Sequence, residues 1–439
     1  MSTPLCLYDT TLRDGAQGKG ISFSPGGKLQ VAKLLDQFGI DLIEGGYAAS
    51  NPKDVAFFED VKALELKHAR IAAFGSTRRA KISPAEDLGC KALIAADTPV
   101  CTIFGKSWTL HVEEVLRTTR EENLAMISET VDWLCQQGRE VVYDAEHFFD
   151  GYRADPDYAL STLAAARDAG ASVLVLCDTN GGVMPHEIFR ITGEVKAALN
   201  FPVGIHAHND GGCGVANSLE AIRAGAEHIQ GTINGYGERC GNADLIPVIA
   251  NAAFKFKRSF SSELPLGKLT ELSRQIDEIA NQRPNPKSPY VGEHAFAHKA
   301  GMHVDGVRKN ASSFEHIPPD SVGNGRHILI SELSGSSNVL MKILDMGLQV
   351  DKSSPEVREV LHELERREKD GYEFEGADAS FYMLVQKVLK NHRSFFEIVG
   401  YRVINEFRAG EKDQLAEASV KILVDGETEY TVAEGDGPV

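Results

Sequence analysis

The sequence predicts a (β/α)8 barrel followed by smaller subdomains. From the start to about residue 262, short apolar runs alternate with polar or glycine turns and amphipathic stretches, and eight such runs occur. The runs are apolar almost throughout, as strands of a parallel sheet buried on both faces are. Polar residues gather where the runs end, on the rim where a barrel carries its chemistry. An open doubly wound sheet is the alternative. Its first turn usually carries a glycine fingerprint, and here that turn reads Arg13-Asp14-Gly15.

The first strand is predicted over 5–11 and leads into Arg13, Asp14 and Gln17. The second, 41–45, holds Glu44, and the third and fourth cover 70–74 and 100–104. The fifth, 140–144, runs into Asp144-Ala145-Glu146-His147, and the sixth, 173–177, into Asp178-Thr179-Asn180-Gly181-Gly182. The seventh, 203–207, carries His206 and His208, and the eighth, 229–233, leads into Asn234-Gly235-Tyr236-Gly237-Glu238-Arg239-Cys240-Gly241-Asn242. Between them, apolar periodicity predicts helices such as 27–38, 112–137, 156–169, 185–199 and 214–224.

Beyond residue 262 the rhythm stops. Arg283-Pro284-Asn285-Pro286-Lys287-Ser288-Pro289 is a stiff, helix-hostile linker. A segment with His294, His298 and His303 follows. Residues 334–390 read as mostly helical, with Ser354-Pro355 as an N-cap and first helical residue, and a densely charged, solvated helix after it. Phe381, Leu384, Val385, Val388 and Leu389 form a packing stripe. Strand-like alternation returns in 418–424 and 430–432, with Asp425-Gly426 as the turn. The expected divisions are a catalytic barrel over 1–262, a linker and lid over 263–330, a helical subdomain over 331–392 and a partial C-terminal α+β domain over 393–439.

The chain has 439 residues, 42% of them hydrophobic, enough for a large core. A net charge of −17 with no Lys/Arg-rich run argues against nucleic acid and anionic membranes as partners. Its 7 cysteines form no Cys-x-x-Cys, which disfavours zinc knuckles and disulfide frameworks and fits a reducing compartment. Cys240, in a glycine-rich loop, is read as structural. No leader is seen before the first strand, and the apolar runs are too short to span a bilayer, so a cytoplasmic protein is expected.

Residues two apart on a strand face the same way, so His206 and His208 aim at one point. With the Asp14 carboxylate they make a two-nitrogen, one-oxygen set for one divalent metal, leaving positions open for substrate. The competing reading is a pair of histidines that only hydrogen-bond in the core.

Leu7-Tyr8-Asp9-Thr10-Thr11-Leu12-Arg13-Asp14-Gly15-Ala16-Gln17, His206-Ala207-His208-Asn209-Asp210 and Gly231-Thr232-Ile233-Asn234-Gly235-Tyr236-Gly237-Glu238-Arg239-Cys240-Gly241-Asn242-Ala243 resemble the metal-dependent Claisen-condensing synthases. That family comprises the isopropylmalate, homocitrate and citramalate synthases of the DRE-TIM metallolyase superfamily. Gly20-Ile21-Ser22-Phe23-Ser24, Ser50-Asn51-Pro52-Lys53-Asp54, Thr102-Ile103-Phe104-Gly105-Lys106-Ser107-Trp108 and Asp144-Ala145-Glu146-His147-Phe148-Phe149-Asp150-Gly151-Tyr152 look like the citramalate branch. The resemblance covers essentially the whole chain. It implies that acetyl-CoA condenses with pyruvate, the first step of a route to isoleucine. It implies a metal, Mn²⁺ foremost with Mg²⁺, Co²⁺ or Zn²⁺ as alternatives, on Asp14, His206 and His208, with Asn242 beside it. Arg13 would polarise the keto oxygen and Glu44 would hold Arg13. Thr179 would bind the keto acid's carboxylate, and Gln17 and Glu146 would line the pocket. His303 would act from the neighbouring subunit of a homodimer, with His294 and His298 as scaffolding.

Phe314 stands where many relatives carry a tyrosine, and Gly46-Tyr47-Ala48-Ala49 where they often show a proline. Residues 418–439 resemble only the first strands of the family's regulatory domain. The last 45 or so residues are therefore expected to be poorly ordered or held by a partner, and isoleucine inhibition to be weak. Alternative functions are an isopropylmalate synthase, a 3-hydroxyacyl-CoA lyase, or a folded but inactive metal-binding or dimerisation module.

Overall fold

The computed structural model describes residues 3–48, 52–298, 303, 306–307, 309–328, 336–348, 354–374, 377–389, 391–406 and 415–435. They divide into two compact units, 1–297 with 310–327, and 298–309 with 328–439.

In the first unit eight parallel strands close into a barrel in sequence order. They are β1 (Cys6–Asp9), β2 (Leu42–Tyr47), β3 (Arg70–Ser76), β4 (Val100–Lys106), β5 (Glu140–Glu146), β6 (Val173–Asp178), β7 (Val203–Ala207) and β8 (His228–Gly231). Pairing of β1 with β8, Cys6 opposite His228 through Asp9 opposite Gly231, completes the closure. All eight predicted strands are present, and the barrel expectation holds.

Strand alternation sorts the side chains into two layers. Leu7, Ile43, Ala73, Ile103, Leu174 and Ile205 pack outward under the helices. Tyr8, Leu42, Ala72, Val100, Val142, Val175 and Cys177 fill the barrel interior. Two residues further along, several inward rows carry a polar side chain, while β3 places Phe74 and β6 Cys177 there. Leu42 is followed by Glu44, Val100 by Thr102, Val142 by Asp144, Gly204 by His206 and His228 by Gln230. Those rows thus rise from a greasy floor to a polar rim.

Helix Pro25–Phe38 begins on the Ser24 side chain, which accepts the Gly27 N–H, and ends at Gly39 with φ 95°. The stretch predicted as one helix over 112–137 is broken. Residues His111–Val115 form a wide turn, Arg117 takes φ 54°, and the helix proper is Arg120–Gln136. The Thr119 side chain accepts the Glu122 N–H, so a capping signal inside the apolar periodicity overrides it. Helix Leu269–Ile279 buries Leu269, Leu272 and Ile276 in the main core.

The second unit contains helices Ser336–Asp345, Pro355–Lys369 and Asp378–Val388. Val339, Ile343, Val357, Val360, Leu364, Phe381, Leu384 and Val385 form its core. The charged helix therefore carries a buried stripe as well as a solvated face, because Val357, Val360 and Leu364 recur at helical spacing. Strands Glu397–Glu406, Leu415–Val424 and Glu427–Gly435 make an antiparallel sheet, turned at Asp425 (φ 49°) and Gly426 (φ 90°). Phe395, Ile398, Val399, Tyr401, Tyr430 and Val432 are exposed on or beside it. Residues 407–414 and 436–439 lie outside the described residues. No described helix is long and apolar enough to cross a membrane.

Candidate active site

The turn after β1 presents Arg13 and Asp14. Its backbone is held by Thr11, whose N–H and hydroxyl donate to the Asp9 carboxylate and whose oxygen accepts the Ile233 N–H. Asp14 Oδ2 lies 3.4 Å from His206 Nε2 and 3.9 Å from His208 Nε2, and the two Nε2 atoms are 3.3 Å apart. All three residues are buried, and they are the one His/Cys/Asp/Glu group able to hold a metal ion among the described residues. These separations suit neighbouring ligands on one first-row divalent ion with bonds of about 2.1 Å.

The electrostatics of Asp14 and His208 agree with that donor set. Burial pushes the His208 imidazole down, His206 adds to this, and it falls to about 4, leaving the ring neutral near pH 7. Burial would raise the Asp14 carboxyl, but Arg13 and then His206 outweigh it and hold it well below the usual carboxylate range. Asn242, bridged through its backbone to His208, keeps a buried Oδ1 with no protein partner. That orphaned acceptor beside a carboxylate–imidazole cluster is what a cation site leaves when only the protein is present.

Arg13 is fixed from several sides. Its Nε donates to Glu44 Oε2 at 2.7 Å, one terminal nitrogen lies 3.2 Å from Asp14 Oδ2, and the guanidinium sits 3.8 Å from the Phe74 ring centroid. Glu44 is fully buried and also accepts from the Tyr8 hydroxyl at 3.0 Å. Burial pushes its carboxyl up, and the guanidinium pulls it back.

A cavity of about 250 Å³ opens over this cluster. Arg13, Asp14, Gln17, Glu146, Thr179, His206 and His208, all singled out from the sequence, line it. Glu44 lies beneath Arg13 rather than at the cavity. His303 belongs to the second unit, where it is exposed. Phe314 is partly exposed in the first unit and is not part of the cavity wall; Ala49 lies outside the described residues.

Tyr47, Phe74, Phe104, Asp144, Cys177 and Arg239 also line the cavity; the sequence reading placed Tyr47 in the pocket only through the Gly46–Ala49 stretch and gave the others no role. For those on regular strands the signal was parity: Asp144 shares a face with Glu146, and Phe104 with Thr102 and Lys106; Tyr47 follows a bulge in β2 and Arg239 lies on a loop, where parity gives no signal. Lys106 pairs with Glu146 between adjacent strand ends. Thr179 Oγ1 accepts the His147 N–H at 2.9 Å, which leaves its own hydrogen to donate elsewhere. At the mouth, Arg239 clamps the Asp210 carboxylate at 2.8 and 3.0 Å and donates to the Thr179 carbonyl at 2.7 Å. The tight loop carrying Arg239 needs its glycines: a Cβ on Gly241 would lie 1.9 Å from the Gly235 carbonyl oxygen. Cys240 is exposed and outside the cavity lining.

The closed parallel barrel thus carries on its rim a carboxylate–imidazole–imidazole cluster able to hold a metal ion, beside a buried Arg–Glu pair. Residues 5–276 match the HMGL-like family, and residues 290–370 match the homocitrate synthase post-HMGL domain-like family. The chain belongs to the HMGL-like family. Within it, the chain is 51% identical over 433 residues to the (R)-citramalate synthase of Geobacter sulfurreducens, spanning 99% of this chain and 82% of that protein. It is 48% identical to the (R)-citramalate synthase of Aquifex aeolicus, spanning 100% and 83%. A probable 2-isopropylmalate synthase of Methanopyrus kandleri is 36% identical over 83% of this chain and 69% of its own. Among solved structures, the hydroxymethylglutaryl-CoA lyase of Pseudomonas aeruginosa shares the fold with a TM-score of 0.54 at 16% identity, covering 64% of this chain and 96% of that one.

Proposed function

We propose that this protein is an (R)-citramalate synthase, joining acetyl-CoA and pyruvate to give citramalate and CoA in the cytoplasm. The observation that carries the reading is the Arg13–Glu44 pair set against Asp14, His206 and His208, in a chain about half identical to citramalate synthases. The cavity, walled in part by Tyr47, Phe74 and Phe104, has room for a small keto acid beside the Asp14–His206–His208 cluster.

Asp14, His206 and His208, with Asn242 close by, would hold a divalent metal, which when bound would supply Lewis-acid stabilisation of negative charge on the keto oxygen. Arg13 adds a fixed positive charge at that oxygen, and Glu44 prevents the guanidinium from moving away as charge develops. The Thr179 hydroxyl donates to the pyruvate carboxylate. Glu146, oriented by Lys106, and Gln17 close the pocket. His303 of a second copy takes the methyl proton of acetyl-CoA, its imidazole nitrogen acting as the general base. The methyl carbon then forms a bond to C2 as the C2–oxygen π bond breaks, and the oxygen, taking that electron pair, receives a proton from water to give the tertiary alcohol. Water finally cleaves the thioester and releases CoA.

Thiol release from acetyl-CoA tests the reading. Mn²⁺-dependent turnover on pyruvate, abolished by EDTA and slow on 2-oxoisovalerate, is the expected result. A preference for 2-oxoisovalerate would assign the leucine-type reaction instead, and cleavage of a 3-hydroxyacyl-CoA would assign a lyase. Sharing of sites across a dimer has its own test. Mixing and reassorting the separately inactive Asp14→Asn and His303→Ala proteins should restore up to about a quarter of wild-type activity, since mixed dimers rebuild one intact site. No recovery, with subunit exchange shown by labelling, would place His303 in its own chain's chemistry or outside it.

A further inference from the structure

Behind His206 lies a polar chain that the reaction above does not use. His206 Nδ1 is 2.9 Å from Gln230 Oε1, and Gln230 Nε2 is 2.9 Å from Asp144 Oδ1. His206, Gln230 and Asp144 are 5%, 0% and 3% exposed. They come from β7, β8 and β5, so the chain crosses the barrel interior.

Each link restricts the next. Asp144 Oδ1 accepts from Gln230 Nε2, and as an unprotonated oxygen it selects the –NH2 end of Gln230. The second hydrogen of that –NH2 group faces His228 Nε2 at 3.5 Å. The amide carbonyl of Gln230 is thereby turned to His206, and a carbonyl oxygen only accepts. His206 must then carry hydrogen on Nδ1. In the neutral ring, its lone pair falls on Nε2, the nitrogen that faces Asp14 Oδ2 and His208 Nε2. A reversed amide would set a carbonyl against the Asp144 oxygen and an N–H against Nδ1, and would move the ring proton to Nε2, where a metal cannot bind.

We propose that Asp144 and Gln230 are positioning residues that hold His206 in its Nδ1–H tautomer and so keep Nε2 open as a metal ligand. The proposal rests on the metal reading of Asp14, His206 and His208. Gln230 carries no signature in the sequence, because a buried glutamine on a strand looks like any other polar strand residue.

Two variants and two readouts test it on the full-length protein stripped of metal. Gln230→Leu removes both links and should weaken Mn²⁺ binding, titrated by the electron paramagnetic resonance of free Mn²⁺, by about 10- to 100-fold. Gln230→Glu with Asp144→Asn reverses donor and acceptor at the Asp144 link while keeping an acceptor on His206 Nδ1. It should bind Mn²⁺ within about threefold of wild type, inside the spread of a conserved second contact. Nitrogen-15 spectra of labelled histidine, taken at a pH high enough to keep the His206 ring neutral, should show its Nδ1–H form in wild type and the double variant. Unchanged Mn²⁺ affinity in a folded Gln230→Leu, or an Nε2–H form of His206 in wild type, overturns the relay. If Gln230→Leu fails to fold, the double variant decides: a folded double variant binding more than tenfold weaker also overturns it. Wild type that binds no Mn²⁺ at all sinks the metal reading instead, and the tautomer spectrum still judges the relay.

Discussion

Replacing Asp14 with asparagine is expected to lower kcat on pyruvate by at least about 10³-fold and to remove tight Mn²⁺ binding. Asp14 is the sole carboxylate among the three clustered donors, and an amide offers a neutral, weaker ligand. It also balances Arg13 at 3.2 Å, so the loss removes negative charge where two cations converge. The same substitution predicts a pH signature in the metal-free protein. The Asp14 carboxyl is held below its ordinary value in the fold, so it contributes stability above about pH 4 and loses it as pH falls. Urea midpoints of wild type and Asp14→Asn should therefore differ at pH 7 and converge on acidification. Equal Mn²⁺ affinity in the two proteins would remove Asp14 from the site.

Glu44→Ala should be damaging in two separable ways. Glu44 is fully buried and is Arg13's main counter-ion, at 2.7 Å. Truncating one partner of a buried ion pair typically costs about 3–5 kcal/mol, because the remaining charge is left uncompensated. The Tyr8 hydroxyl would also lose an acceptor, though its contact with Thr102 Oγ1 at 2.7 Å survives. Thermal unfolding should reveal the first effect. The second is a fall in kcat of about 10²-fold beyond any loss of folded protein, from a guanidinium no longer fixed against Glu44. Measured under conditions where the variant is fully folded, an unchanged kcat would make the pair structural only.

The sequence made some parts of this molecule readable for definite reasons. Each barrel strand is buried on both faces, so it appears as an apolar run of the right length. His206 and His208 fall two apart on one such run, and strand parity alone aims them together. What parity could not supply is which strands become neighbours. Tyr8 packs with Thr102 on β4, Gln230 on β8 reaches Asp144 on β5, and Arg239 clamps the loop after β7. None of these pairs is close in sequence. The break before Arg120 was missed for a different reason: a local cap at Thr119 competed with helical periodicity and won.

By itself, then, the sequence determined the barrel, the rim as the place of chemistry, and the residue types able to bind a cation and polarise a carbonyl. Local period and side-chain chemistry are properties of short segments and survive without knowledge of the fold. Only the tertiary structure decided how Asp14 meets two histidines nearly two hundred positions away, how Glu44 is buried under Arg13, and how Gln230 is aimed at His206. Those facts depend on ring closure of β1 against β8 and on inward rows converging at one end of the barrel. Such closure is a long-range geometric condition that no local pattern contains.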